Sequence, residues 1–171
     1  MTGAQLMHIM PLAGRRATLF LAPLNAAMAE FSIDTPLRRA SFLAQVGHES
    51  GQLRYVRELA SGAAYEGRAD LGNVIAGDGV RFKGRGLLQV TGRANYAACG
   101  VALGLDLLAA PQLLEQTVFA CRSAGWFWQS RGLNRLADAG DQERVTRRIN
   151  GGVNGLAERL ALFQAARKVL T

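Results

Sequence analysis

Glu49 and Glu58 are the side chains whose type and spacing could do chemistry. Thirteen acidic residues stand against twenty basic ones, so carboxylates are scarce and their placement is informative. On one continuous helix the nine-residue separation would put the two glutamates about 13 Å apart along the axis. A chain reversal at Gly51 would instead let them face each other across a cleft. Glu49 falls in the last turn of an apolar helix, where the dipole disfavours a carboxylate and partial burial would favour the protonated acid. Glu58 lies on a polar stretch beside Arg54 and Arg57. Two carboxylates in such different surroundings make an acid/base pair, the arrangement that glycoside hydrolysis requires. A solvated ion pair with Arg54 or Arg57 is the competing account of Glu58. Glu66 is a rival second carboxylate, with Asp70 and Asp78 weaker ones; Asp78, in Gly77-Asp78-Gly79, suits a tight turn.

The elements that must position these groups are mostly helical. Thr35-Pro36 is a helix start, with a hydroxyl cap and proline in the first position. Leu37, Ala40, Phe42, Leu43 and Val46 continue it at helical spacing, and Gly51 suits its left-handed end. Residues 4–31 read as helix broken near Pro11–Gly14, with a possible kink at Pro23. Residues 52–92 are rich in glycine and arginine and form an irregular lobe between the helices, in which 86–91 reads as a short strand. Helix resumes at 93–99 and 112–130, then in short pieces at 133–139 and 141–149, and finally at 155–170. Trp126 and Trp128 lie on a helix apolar almost all round, which favours core packing. The sum is one mainly α domain over 1–171, with a cleft between helices and lobe.

Composition bounds the partners. The net charge of +7, carried by arginine except at Lys83 and Lys168, favours an anionic partner such as nucleic acid, an acidic membrane surface or a cell-wall polymer. Cys99 and Cys121 are too few for a disulfide framework and read as buried reduced thiols. No metal-ligand spacing, phosphate loop or nucleophile elbow is present, so neither metal nor cofactor is expected. Gly14–Pro23 mimics a secretion leader, but Leu21, Leu24, Met28 and Phe31 continue at helical spacing through it. The segment therefore reads as fold, without a clear signal peptide and without stable membrane insertion.

Three runs then stand in order: His48-Glu49-Ser50-Gly51, Gly84-Arg85-Gly86-Leu87-Leu88-Gln89-Val90-Thr91-Gly92, and Ile149-Asn150-Gly151-Gly152. They resemble the signatures of glycoside hydrolase family 19, which holds chitinases and lysozyme-like bacteriophage endolysins. Tyr65 to Asn73 and Gly77 to Gly86 resemble the endolysin branch of phages and prophages. The resemblance covers essentially the whole chain and implies a lysozyme-like α+β domain. It implies Glu49 as general acid, Glu58 as the base that activates water, and Thr91 as the hydroxyl that holds that water, with inversion at the anomeric carbon. His48, Gln89, Asn95 and Asn150 would contact sugar, and Arg159 would support the carboxylates. The short Glu49–Glu58 spacing is closer to the lysozyme-like members than to plant chitinases.

The expected function is thus an endolysin, a monomer that cuts β-1,4 bonds in the glycan strands of peptidoglycan. It would wait in the host cytoplasm until a separate holin-type membrane partner releases it to the wall. A chitinase with the same machinery is the near alternative. A non-catalytic basic module for wall polymer or nucleic acid is the distant one. Two cleft glutamates oppose an anionic ligand, and Arg144, Arg147 and Arg148 have no interleaved aromatics, so nucleic acid is not the expected partner.

Overall fold

The computed structural model describes residues 1–170. Its centre is helix α3 (Pro36–Glu49), preceded by α1 (Gly3–Ile9) and α2 (Arg16–Glu30). The Thr35 hydroxyl accepts the Arg38 amide at 3.2 Å, satisfying a donor that the first turn would leave orphaned. Every residue of α3 from Ala40 to Gly47 is buried, so the helix is enclosed on all sides. Gly47 permits that enclosure. A β-carbon there would come within 3.1 Å of Leu162 and 3.3 Å of Met10. The would-be leader is the body of α2, which runs unbroken through Pro23.

Within the lobe lies α4 (Asp78–Arg81), and after it come α5 (Arg93–Leu103), α6 (Thr117–Ser130), α7 (Leu133–Asp138), α8 (Gln142–Asn150) and α9 (Leu156–Val169). Helix α9 packs along α3, and α6 packs on α2. Phe31 fills the space a β-carbon at Gly125 would need, which brings α2 and α6 close. Trp128 is core, edge-on to Phe42 with centroids 5.4 Å apart, and its indole N–H reaches Asn134 Oδ1 at 2.8 Å. Cys99 and Cys121 are buried free thiols, and burial pushes Cys99 up to about 12. Both are therefore inert packing groups.

The chain reversal after Glu49 is made by Gly51, Gln52 and Leu53, all left-handed with φ of 56°, 57° and 69°. Two of these lack glycine's freedom, so neighbours must enforce the turn. The Ser50 hydroxyl does so, donating to Val46 O at 2.6 Å and accepting the Leu53 amide at 2.8 Å. Leu53 is buried as a result.

The expected strand at 86–91 is not there. Arg85 and Val90 exchange both backbone hydrogen bonds, at 3.1 and 2.8 Å, and residues 86–89 form the tight loop between them. Gly86 (φ 81°) and Gln89 (φ 54°) turn that loop. Leu87, Leu88 and Val90 read as strand-like because they plug the core, not because they alternate. A further bridge pairs Arg85 with Arg57, so the lobe's pairing among the described residues is by isolated bridges.

Asp78 opens the four-residue helix α4 instead of sitting in a simple turn. Its buried carboxylate takes Arg93 in two bonds, of 2.8 and 2.6 Å, and the Ile75 amide at 3.0 Å. The Arg93 guanidinium holds the carboxyl below its ordinary 3.8. A depressed folded-state value adds stability above 3.8 that is lost as pH falls below it. Asp78→Asn should therefore lower the thermal midpoint at neutral pH, and the gap to wild type should close on acidification through that range. A gap independent of pH would count against the ion pair as its source.

Candidate active site

A polar stripe runs through the middle of this apolar core. Ser41, Gln45 and Glu49 repeat every four residues on α3, hence on one face. Gln142, Thr146 and Asn150 do the same on α8. Gln142 Nε2 donates to Ser41 Oγ at 2.6 Å, and Gln45 Nε2 to Thr146 Oγ1 at 3.2 Å. The two helices run in the same direction along this seam, rung by rung. The last rung, Glu49 and Asn150, opens onto a cavity of about 230 Å3.

Arg159 of α9 closes the seam from behind. It is 1% exposed, an unusual place for a cation unless fully partnered. Its guanidinium donates to Glu49 Oε1 and Gln45 Oε1, both at 2.5 Å, and to Asn154 O at 3.1 Å. Glu49 is thus fixed through one oxygen. Among the described residues Oε2 has no protein partner, and the residue lines the cleft.

The opposite lip is the loop closed by Arg85 and Val90. Gln89, Thr91 and Asn95 line the cleft, each with a local bond that sets its pose. Gln89 Nε2 donates to Gly86 O at 3.1 Å, Thr91 Oγ1 to Gln89 O at 3.0 Å, and Asn95 Nδ2 to Thr91 O at 2.7 Å. Thr91 does not cap α5, whose cap position is Gly92.

Glu58 lies outside the enclosed part of the cleft, half-buried behind this lip. Its backbone amide bonds Gly84 O at 2.9 Å. Its carboxylate accepts the Gly84 amide at 3.1 Å and the Tyr65 hydroxyl at 3.0 Å. Gly84 marks where the lip groups converge. A β-carbon there would fall against Gln89 Oε1 and lie 3.2 Å from Glu58 Oε2 and 3.3 Å from Thr91 Oγ1. Burial and the adjoining Glu58 carboxylate push the Tyr65 phenol above its ordinary range, so it stays a donor.

The arginines that compete for Glu58 are engaged elsewhere. Arg57 pairs with Glu115 at 3.6 Å, and Arg54 sits over the Tyr55 ring. Glu66 accepts the Gly77 and Gly79 amides at 2.7 and 2.8 Å, tying the lobe together. Asp70 takes Arg68 and Asp78 takes Arg93.

The structure therefore gathers Glu49, Gln89, Thr91, Asn95 and Asn150 around one cavity, with Arg159 beneath and Glu58 behind the lip. His48 is not brought there. Its ring lies against Gly155, and Nδ1 bonds Glu158 Oε2 at 2.7 Å. Trp126 packs against the core as expected, but it is half-buried and also lines the cleft, while Trp128 is fully core. Positions two apart on a helix point to opposite sides, a signal the sequence carried. Tyr65, Phe127 and Arg131 also escaped the sequence reading.

Comparisons with known proteins show the family and the fold. The family model described as chitinase class I, of glycoside hydrolase family 19, matches residues 24–139. A glycosyl hydrolase family 19 domain-containing protein of Haemophilus influenzae is 34% identical over 160 residues, covering 75% of this chain and 78% of that one. An endochitinase of Arabidopsis thaliana is 36% identical over 114 residues, covering 66% of this chain and only 39% of its own. Chitinase C of Streptomyces griseus superimposes with a TM-score of 0.82 at 26% identity, over 99% of this chain and 91% of that one. With sequence and fold in agreement along most of its length, the chain belongs to glycoside hydrolase family 19 and is a glycosidase related to the chitinases.

Proposed function

We propose that the chain is an endolysin that hydrolyses β-1,4 bonds of peptidoglycan glycan strands by an inverting acid/base mechanism. The observation that carries the chemistry is Glu49, anchored through Oε1 with Oε2 unpartnered, across from the Glu58–Gln89–Thr91 cluster at Gly84. Glu49 gives its proton to the glycosidic oxygen as the C1–O bond breaks. A water held by Thr91 attacks C1 from the opposite face and passes its proton to Glu58. Exchange with solvent resets both carboxyls. Gln89, Asn95 and Asn150 hold sugar hydroxyls and N-acetyl groups, and Trp126 offers an apolar wall to a pyranose face.

The net charge of +7 supports an anionic wall polymer over a neutral one. In this reading the enzyme acts alone on the wall, after a separate membrane-permeabilising partner has given it access from the cytoplasm. Chitin is the second reading, favoured by the names of the Arabidopsis and Streptomyces relatives.

Reducing-end release from purified peptidoglycan and from chitin oligomers, measured side by side, separates the two. The expected result is release from walls exceeding that from chitin oligomers at equal sugar concentration. Release from chitin alone would replace the first reading with the second. Binding to walls without release from either would remove both.

A further inference from the structure

One group of cations near the cleft has no use in the chemistry above. Arg131 lines the cleft beside Phe127, with its guanidinium 4.3 Å from that ring's centroid. Arg148 Nη1 donates to Arg131 O at 3.2 Å, which sets the two side by side. Arg148 also lines an adjoining hollow of about 330 Å3 with Arg135. The hollow's lining residues Gly132 and Arg148 are chain neighbours of the cleft residues Arg131 and Ile149.

Among the described residues, none of these three arginines has a carboxylate partner. The acids of the neighbourhood are taken. Asp138 binds Arg38 at 2.7 Å, Asp141 faces Arg144 at 3.4 Å, and Glu143 holds Arg147 at 2.9 Å. Two arginines packed together without a counter-ion repel each other, and burial with the Arg148 charge lowers the Arg131 value. Both side chains are exposed, and an anion taken up between them would relieve that repulsion. A guanidinium stacked on an aromatic ring keeps its in-plane donors free for a bidentate carboxylate.

We infer that Arg131 and Arg148 form a subsite for a carboxylate carried on a sugar substituent, taken up from a glycan strand lying in the Glu49 cleft. The inference rests on the wall reading, because chitin bears no carboxylate. In the wall polymer this group is a carboxylate of the peptide, or the lactyl carboxylate on sugars that carry no peptide. It would hang from the strand into the hollow and set the register of alternate sugars over Glu49.

The test is the Arg131→Gln/Arg148→Gln double variant, assayed by reducing-end release on native walls and on walls whose carboxyls have been converted to amides. The wild-type-to-variant ratio of kcat/KM is expected to be about tenfold to a hundredfold larger on native walls, the worth of a charge-assisted pair. The paired lysine variant should recover part of the loss. Strands stripped of peptide carry the lactyl carboxylate alone. A ratio kept on them shows that the lactyl carboxylate suffices to fill the subsite, and a ratio lost on them assigns the peptide carboxylates. An equal ratio on native and amidated walls would overturn the subsite, since the arginines would then serve sugar or fold. No loss on native walls would overturn it while leaving the wall reading intact. A wild type that cuts chitin oligomers and neither wall would overturn both.

Discussion

Glu49→Gln is expected to lower kcat on order of 10^3-fold while leaving the fold in place. The amide oxygen can still accept from Arg159, so the buried guanidinium keeps its three partners and the seam between α3 and α8 is not disturbed. What is lost is the transferable proton. That loss has a signature a structural defect lacks. An oligosaccharide with an aryl leaving group of low pKa needs little protonation, so its cleavage should fall far less than that of the natural bond. The comparison is a pair of kcat ratios, wild type over variant, on the two substrates. Equal falls on both would mean that Glu49 positions substrate instead of protonating it.

Arg159→Met is expected to be the most destabilising single change near the site, by roughly 3–5 kcal/mol in urea unfolding. The guanidinium is 1% exposed and its partners are fixed by other elements. Its removal leaves the Glu49 carboxylate without its cation and strands the buried Gln45 side-chain carbonyl, while the Asn154 carbonyl keeps Asn150 Nδ2 at 3.3 Å. Methionine fills most of the volume, so the cost is one of unpaired polar groups and not of a cavity. Adding Glu49→Gln to Arg159→Met removes the orphaned charge and should recover part of the loss. A coupling energy on the order of 1–3 kcal/mol between the two sites is expected from the double-mutant cycle. Additive losses would show that the pair does not interact energetically.

Much of this arrangement was legible because it is written locally. Thr35-Pro36 and the apolar spacing after it define α3, and Gly51 marks the reversal that follows. The positions at which the motifs end up are those that line the cleft: Glu49, Gln89, Thr91, Asn95 and Asn150. Long-range partnerships were not legible without the family resemblance. Arg159 lies 110 residues from Glu49, and nothing around it distinguishes a buried anchor from a surface arginine. The loop at 86–89 misled because buried leucines give the same apolar run whether they sit in a strand or plug a core from a turn. The second role of Trp126, as cleft lining beside its core packing, was missed because α6 was treated as one apolar surface instead of two. His48 misled by adjacency: its neighbour reaches the cleft, while its own ring turns to Glu158 and Gly155.

The two proposed catalytic carboxylates are held to very different standards. Glu49 stands at the end of a helix enclosed on every side, braced by a salt bridge and by rungs to α8. Glu58 stands on an irregular segment whose backbone is paired by isolated bridges, with its carboxylate held by the Gly84 amide and the Tyr65 hydroxyl. Local opening starts where regular pairing is least, so hydrogen exchange is expected to be faster in the lobe than in the enclosed helices. One side of the cleft is therefore an anvil and the other a jaw. A glycan strand touching both would tighten the jaw by its own binding, and the distance between acid and base becomes a property of the loaded enzyme. Selection on that distance would then act on the lobe, where a single residue can reset the gap without disturbing the helical core.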